Sequence, residues 1–558
     1  MTAKPWVCWA LLAIACLHQS LHLHLYGPFG HKRFWHDLAM QMCAAQSLVD
    51  GHGLTYVVHS STSPDPQRLK LSQWPLGFSI LFGAFLAPHD NPWLAILSVE
   101  TVSVILFFLS WFVMIRMLRP YVSDKAALLV WFYWALIWNP LALLQGSNLV
   151  TVAVFSCGVA FCLASVQGRR SRATAVACGI CFGTAAALRY AYWPLILVPP
   201  LALGFGWLMA DRRRRLLESA LISGAVAAGL LLLLAGFNKW YLGDIAQYTG
   251  SESAGGLHWR QLGKLDYFPA RMIGFPYFWG WLSDRLSLAR FLSVNAGSWI
   301  TSAIVMTVAT IPLVVGWRNR RSGADAGPGQ ARLLTFLGAG LATFGLTVAM
   351  LGFLSLTVAP IQFASGKLWT YLEQPRYYAP ILGFLSVALA AGIVEILEAC
   401  RKKPWILAPI AMLLLAWLTL GMGFRAKTWI KEVADYENVR TQRQQESQAS
   451  RDIHAAVRRY IDQGRLPLFL SFAARRPYPP YIPKTPFSVR IAGACTMNPD
   501  FLSDPIQGGD SPAVLFVLVP TGAAAGPEET VGGLIGRHRK FEHVATLTQG
   551  RVYVTQVE

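Results

Sequence analysis

Long apolar segments separated by short basic clusters recur along the whole chain, and this pattern constrains the fold more than any other feature. Hydrophobic residues make up 54% of the 558 residues and charged residues only 14%, whereas an average soluble domain carries about 25% charge. A transmembrane helix needs about 20 consecutive apolar residues. The sequence therefore predicts an all-α polytopic membrane domain with about eleven transmembrane helices.

The basic clusters predict the orientation of these helices, because cytoplasmic loops carry the excess of lysine and arginine. With the N-terminus inside, Arg116, Arg169, Arg212 and Lys402 all fall in cytoplasmic loops. The predicted spans are residues 5–26, 92–115, 126–143, 149–166, 173–188, 195–209, 216–237, 291–317, 333–358, 380–396 and 405–424. The apolar stretch 76–87 is too short to cross and is predicted to be re-entrant or interfacial.

The net charge of +19 follows the same rule. The basic residues flank apolar segments and form no separate basic domain, so nucleic acid is not expected as a partner.

Two domains are predicted. Residues 1–424 form the transmembrane domain, with a first outer loop at residues 27–91, and residues 425–558 form a small soluble α/β domain on the outer side. Short apolar runs bounded by turn residues predict its strands. These strands are expected at residues 466–472, 513–519, 541–547 and 551–557, the last two as a hairpin.

Several short motifs follow one another in a characteristic order. They are Asp37 after the first span, Ala44-Ala45 with Leu48, the helix stop signal Gly51-x-Gly53, Trp74-Pro75-Leu76-Gly77-Phe78, a small-residue run from Gly183 to Arg189, and Pro375-Arg376-Tyr377-Tyr378-Ala379-Pro380. In this order the chain resembles the multi-pass glycosyltransferases of the GT-C class. These are the bacterial relatives of protein O-mannosyltransferases and of the lipid A aminoarabinose transferase.

The resemblance implies an inverting enzyme of the bacterial inner membrane. It would transfer a sugar from a polyprenyl-phosphate donor to a lipid, glycan or protein acceptor on the periplasmic side, with membrane lipids as further partners. Such a displacement needs a base for the acceptor proton and cations for the phosphate leaving group. The resemblance implies Asp37 as the base. The alternative is a charge at a helix start without a catalytic role.

Cations and aromatic residues near the outer helix ends are the candidates for substrate binding. Arg189 and Arg376 are candidates for bidentate binding of the donor phosphate, and snorkelling to lipid head groups is the alternative. The other candidates for substrate binding are His36, Lys70, Trp74, Tyr377 and Tyr378. His36 is adjacent to Asp37 and would tune it or bind the acceptor. A solvated loop charge is the alternative for Lys70, and a role in an interfacial aromatic belt is the alternative for the two tyrosines.

Metal binding is left open. His18, His22 and His24 crowd the end of the first span, but their spacing matches no standard zinc pattern, so no metal ligand is assigned. The resemblance leaves a divalent ion open as a cofactor. Cys178-x-x-Cys181 lies within an apolar segment, which favours helix packing over zinc or redox chemistry.

A non-catalytic transporter or flippase of lipid-linked glycans is the main alternative function. Transporters usually show inverted repeats and charged or broken helices at mid-membrane. No repeat is evident here, and Glu100 is the main charge inside a predicted span. A polysaccharide polymerase or ligase is a third possibility, against which the large first loop argues.

Overall fold

The structure is a computed structural model. The residues it describes are 5–26, 36–60, 63–71, 75–88, 92–119, 121–137, 146–166, 171–209, 214–243, 303–311, 328–357, 361–362, 368–369, 375–403, 405–410, 466–471, 513–520, 541–547 and 550–556, with scattered positions between these ranges.

Helices dominate the described residues, as the apolar pattern predicts. They are α1 (Pro5–Tyr26), α2 (His36–Val49), α3 (Leu76–Leu86), α4 (Pro92–Met117), α5 (Asp124–Phe132), α6 (Ser147–Ser165), α7 (Ser171–Leu188), α8 (Val198–Met209), α9 (Arg214–Leu242), α10 (Pro328–Thr357) and α11 (Pro375–Ala399). Within the described part of the chain, seven helical segments are long and apolar enough to cross a membrane. The predicted span 291–317 lies mostly outside the described residues, and about half of the predicted span 405–424 does.

The helix near the end of the first outer loop is short, as the sequence predicts. α3 has 11 residues, which gives a length of about 16 Å at 1.5 Å per residue. The hydrocarbon core is about 30 Å thick, so α3 alone does not cross it. Its re-entrant or interfacial placement stays a prediction.

The first compact unit comprises Met1–Leu23 and Val99–Lys431. Its core contains a cluster of contacting aromatic rings, among them Phe107, Phe108, Trp111, Trp131 and Trp134. Trp131 lies near the end of α5, and Trp134 lies in the π-helical turn Tyr133–Ile137 that follows α5.

Both central indoles of this core have hydrogen-bond partners. The Nε1 of Trp111 donates to Ser156 Oγ at 3.2 Å, and the Nε1 of Trp134 donates to Ser386 Oγ at 3.0 Å. Because a polar group without a partner is costly in an apolar interior, these bonds fix α4 to α6 and the π-helical turn to α11.

Small residues bring α7 close to its neighbours. A Cβ added at Gly179 would lie 2.6 Å from the carbonyl oxygen of Ser223 on α9, so a larger residue would push the two helices apart. This close approach of small residues is typical of helix packing in membranes. It also fixes the end of α7, where Arg189 follows.

The second compact unit comprises His24–Ser98 and Glu432–Glu558. It contains a four-stranded sheet in the order β5-β6-β8-β7. The strands of this sheet are β5 (Leu466–Ser471), β6 (Ala513–Pro520), β7 (Glu542–Leu547) and β8 (Gly550–Gln556). Four strands precede them in the chain, namely β1 (Thr55–Ser60), β2 (Ser63–Lys70), β3 (Ile361–Gln362) and β4 (Leu368–Trp369). The strand predictions and the terminal hairpin are confirmed.

The sheet of this unit combines both kinds of strand pairing. β5 pairs with β6 in parallel, whereas β8 pairs antiparallel with β6 and with β7. Tyr460, at a helical position, packs its ring 6.1 Å from that of the fully buried Phe516. A helix on a mixed sheet agrees with the predicted small α/β domain. Its boundary at residue 424 stays a prediction, because the compact unit also includes the first outer loop.

Candidate functional site

The first outer loop begins with the predicted helix and its predicted stop. The amide of Gly51 donates to the carbonyl of Leu48 at 3.1 Å, and that of His52 donates to Ser47 at 2.8 Å. This pair of bonds is the Schellman motif, which needs a left-handed residue after the helix. Gly51 supplies it with φ of 81°, at no steric cost.

A β-hairpin follows, which the sequence analysis did not predict. β1 and β2 pair antiparallel, and the register breaks between Val58 and Ser60. Pro64 and Pro66 fall in the segment of β2 opposite this break, where a missing N–H removes no regular ladder bond. The run Thr55-Tyr-Val-Val is rich in strand-favouring residues and was the available signal.

α3 packs against α2 and supports it. The hydroxyl of Ser79 donates to the carbonyl of Gln41 at 2.8 Å. Ala44 and Ala45 are fully buried, and a Cβ at Gly83 would lie 3.6 Å from the carbonyl of Ala45. The small residues that carried the family resemblance therefore act in helix packing here.

For most candidate residues of this loop the structure describes the backbone and not the side chain. His36 and Asp37 form the first turn of α2, and their side chains lie outside the described part of the structure. Lys70 is exposed at the end of β2, and Trp74 lies outside the described residues. The roles of these four residues stay predictions.

The two candidate arginines converge on one tyrosine. The Cζ of Arg376 lies 5.1 Å from the ring centroid of Tyr377, and the Cζ of Arg189 lies 6.0 Å from it. Arg376 Nη2 also lies 3.4 Å from the Tyr377 hydroxyl. Both distances to the ring are within the range of cation–π attraction. We call Arg189, Arg376 and Tyr377 the arginine–tyrosine cluster.

The loop before α6 connects this cluster to α4. Arg189 Nη1 donates to the hydroxyl of Ser147 at 3.2 Å. The amide of the preceding Gly146 donates to Glu100 Oε1 at 2.6 Å. Gly146 has φ of 50° and ψ of −128°, a conformation that glycine tolerates best. Glu100 is therefore the residue that fixes the start of α6, while Ser147 orients Arg189.

Glu100 is recognisable in the sequence as a charge within a predicted span, but no local pattern indicates a role for it or for Ser147. The side chain of Glu100 is 1% exposed. A carboxylate inside a membrane helix normally has a specific partner, which for Glu100 is the amide of Gly146. The identity of that partner depends on the tertiary fold.

The start of α11 corrects one predicted boundary. The sequence placed residues 359–379 in an outer loop, whereas α11 already begins at Pro375. Proline is favoured at the first helical position, because its missing N–H would have no partner there. Arg376 and Tyr377 therefore lie in the first turn of a helix. Tyr378, 3% exposed, is packed inside the protein, and its substrate role stays a prediction.

Helix ends that are predicted to face the same side lie together. Glu100, Ser147, Arg189 and Tyr377 lie near the predicted outer ends of α4, α6, α7 and α11. At predicted inner ends, ion pairs at 2.7 Å and 2.9 Å connect helices α7 to α9 and α5 to α11. The pairs are Arg172–Glu218 and Lys125–Glu398. The helix ends are therefore grouped on two sides as the basic clusters predict. The assignment of one side to the cytoplasm stays a prediction.

A metal site is not apparent among the described residues, where no group of three His, Cys, Asp or Glu side chains has a suitable arrangement. The histidines at the end of α1 have side chains outside this description. Metal dependence therefore stays an open question.

No family model matches the chain, and no curated protein matches it in sequence. Among solved structures, ArnT from Cupriavidus metallidurans bound to undecaprenyl phosphate is similar with a TM-score of 0.52 and 14% identity, over 100% of this chain and 98% of that one. The oligosaccharyltransferase of Archaeoglobus fulgidus in the apo form has a TM-score of 0.49 and 12% identity, over 99% and 74% of the two chains. The similarity to ArnT confirms the predicted architecture, and the chain has the fold of a GT-C membrane glycosyltransferase.

Proposed function

We propose that the protein is an integral-membrane glycosyltransferase that moves a sugar from a polyprenyl-phosphate donor to an acceptor at the periplasmic face of a bacterial inner membrane. The observation that carries the proposal is the arginine–tyrosine cluster at the predicted outer ends of the helices. The ArnT structure contains undecaprenyl phosphate. This supports a lipid phosphate as the leaving group here.

The cluster suits a phosphate that gains negative charge as its bond to the sugar breaks. Both guanidinium groups are permanently charged and offer paired N–H donors that match phosphate oxygens. Ser147 begins α6, so the partial positive charge of that helix start adds to the field near Arg189. Tyr377 lies within cation–π distance of both guanidinium groups and would hold them in position before the donor arrives. Preorganised charge of this kind stabilises a transition state at little reorganisation cost.

The reaction itself would be a single displacement. An acceptor oxygen attacks the anomeric carbon, its proton passes to Asp37, and the bond between that carbon and the phosphate oxygen breaks. The anomeric configuration inverts, because the nucleophile enters opposite the leaving group. The helix that begins with His36 and Asp37 is held by α3, through the bond from the Ser79 hydroxyl to the Gln41 carbonyl. The acceptor would be a lipid, a glycan or a protein of the cell envelope.

The phosphate assignment is tested by replacing each arginine with lysine, which keeps the charge and loses the planar fork. Purified protein in vesicles would be assayed for donor binding and for sugar transfer. A charge-assisted hydrogen bond contributes about 1.5–3 kcal/mol, so we expect Arg189→Lys or Arg376→Lys to weaken donor binding by at least about tenfold.

Arg172→Lys is the matched control, because Arg172 lies at the opposite end of α7 in an exposed ion pair. It should bind donor and transfer sugar like the parent. Parental binding and turnover by both Arg189→Lys and Arg376→Lys would contradict the phosphate assignment. Movement of lipid-linked sugar across the vesicle without transfer would instead favour a flippase.

A further inference from the structure

A small cavity lies between α1, α4 and α5, at the end of the first unit opposite the arginine–tyrosine cluster. Its volume is about 60 Å³. One water needs roughly 10–15 Å³ of such space, so the cavity has room for several water-sized groups. Cys8 and Trp9 line it from α1, Phe112 and Arg116 from α4, and Trp131 from α5.

The walls of the cavity are aromatic. The ring centroids of Trp9 and Phe112 are 4.2 Å apart, and those of Phe112 and Trp131 are 6.2 Å apart. Trp9 is 51% exposed, and the outward face of α1 continues the apolar surface through Trp6 and Leu17, which are 65% and 61% exposed. An acyl chain that leaves the cavity would therefore run along an apolar helix face.

The mouth of the cavity carries surplus positive charge. Arg119 forms an ion pair with Asp124 through Nε at 3.2 Å, with Nη2 at 3.3 Å from the other carboxylate oxygen. Arg116 also lines the cavity, and among the described residues no carboxylate forms an ion pair with it. One arginine is thus neutralised by its neighbour, whereas the charge of Arg116 remains available.

The surrounding helix ends add to this charge. Lys125 pairs with Glu398 at 2.9 Å, and α11 then ends in a 3₁₀ turn carrying Arg401, with Lys403 directly after it, both of them exposed. At these helix ends the described cations are Arg116, Arg119, Lys125, Arg401 and Lys403, and the described carboxylates are Asp124, Glu395 and Glu398, so positive charge exceeds negative charge. Exposed Trp405 and Tyr121 nearby in sequence are typical of a membrane interface.

We propose that this cavity binds the head group of an anionic phospholipid, with its phosphate at Arg116 and one acyl chain along Trp9 and the outer face of α1. A phosphate oxygen matches the free donors of a guanidinium. Basic pockets between helices on the cytoplasmic side are known to hold anionic head groups, and the positive-inside rule predicts that side for this end of the helices. The site is separate from the proposed donor site and does not depend on the proposed function.

Cys8 provides a native reporter of occupancy, because it lines the cavity. The full-length protein would be placed in nanodiscs of phosphatidylcholine, with or without phosphatidylglycerol. The rate at which a maleimide alkylates Cys8 would be measured by peptide mass spectrometry. We expect phosphatidylglycerol to slow the alkylation in a saturable way. A basic residue near a membrane surface contributes about fivefold to affinity for anionic lipid, so Arg116→Gln should need about fivefold more phosphatidylglycerol for the same protection.

Arg172→Gln is the control, because it removes an arginine from the same predicted face but at a different helix. It should be protected like the parent, and circular dichroism should show parental helix content for both variants. Equal protection of the parent and Arg116→Gln would overturn the proposal, since it would indicate a general membrane effect. Absence of protection, or equal protection by inorganic phosphate in phosphatidylcholine nanodiscs, would also overturn it.

Discussion

Replacement of Glu100 tests whether a buried carboxylate positions the phosphate-binding arginine. Glu100 Oε1 accepts the amide of Gly146 at 2.6 Å, and the next residue, Ser147, accepts from Arg189 at 3.2 Å. Glu100→Ala removes the acceptor and leaves the Gly146 amide unsatisfied, which costs about 1–3 kcal/mol. Glu100→Gln keeps an amide oxygen in the same place. It therefore retains an acceptor for the Gly146 amide, and its loss of stability should be smaller than that of Glu100→Ala.

The two substitutions should therefore differ in a specific order. We expect the unfolding temperature in detergent to be lowest for Glu100→Ala, higher for Glu100→Gln and highest for the parent. Donor affinity should follow the same order, because the start of α6 orients Arg189 through Ser147. A purely structural role would lower the unfolding temperature without changing the affinity of the protein that remains folded.

Ser103→Ala is the matched control for this experiment. Ser103 lies one turn farther along α4 and is buried, and its bond among the described residues is within its own helix, to the carbonyl of Val99 at 2.7 Å. Its loss should change neither the donor affinity nor the unfolding temperature by much. If Glu100→Ala bound donor like Ser103→Ala, or if Glu100→Gln were as impaired as Glu100→Ala, the positioning argument would be wrong.

Two further predictions concern the cluster and the topology. Tyr377→Leu removes two cation–π contacts of about 0.5–1 kcal/mol each and should weaken donor binding by roughly fivefold to thirtyfold. Tyr377→Phe keeps the ring and should bind donor within roughly twofold of the parent. Equal donor binding by both variants would remove Tyr377 from the site. A cysteine introduced at Gln507, in the C-terminal domain, should be labelled by an impermeant maleimide only from the periplasmic side, and labelling only from the cytoplasm would refute the predicted orientation.

The parts of the fold that depend on local sequence could be predicted. The α1 bounds Pro5–Tyr26 coincide with the predicted first span, because the apolar run that favours this helix is a local feature of the sequence. Gly51 ends α2 as predicted, because a left-handed residue is a local requirement. The terminal hairpin was equally clear from alternating strand and turn residues.

The parts that depend on tertiary packing could not be predicted. Arg189 and Arg376 were both recognised as cations at helix ends, but nothing local indicates that they share Tyr377. The acceptor role of Glu100 toward Gly146 likewise depends on how α4 packs against α6. The β1–β2 hairpin was missed because Pro64 and Pro66 disfavour a strand unless a register break accommodates them.

The central claim is that this protein transfers sugar with Asp37 as its base, and Asp37→Asn tests it most directly. Asparagine has nearly the same shape but cannot take the acceptor proton. Loss of a general base costs about 10²–10⁴-fold in rate, whereas a carboxylate at a helix start contributes at most about 1 kcal/mol to stability. The variant should therefore insert, fold and bind donor like the parent.

Asp50→Asn is the matched control, because Asp50 follows the other end of α2 and accepts from Gln46 through an oxygen that asparagine retains. The measurement is the rate of sugar transfer by purified protein in vesicles, with donor binding measured on the same sample. The account predicts parental transfer by Asp50→Asn and a loss of at least about 100-fold in Asp37→Asn. Near-parental transfer by an Asp37→Asn protein that binds donor normally would contradict it.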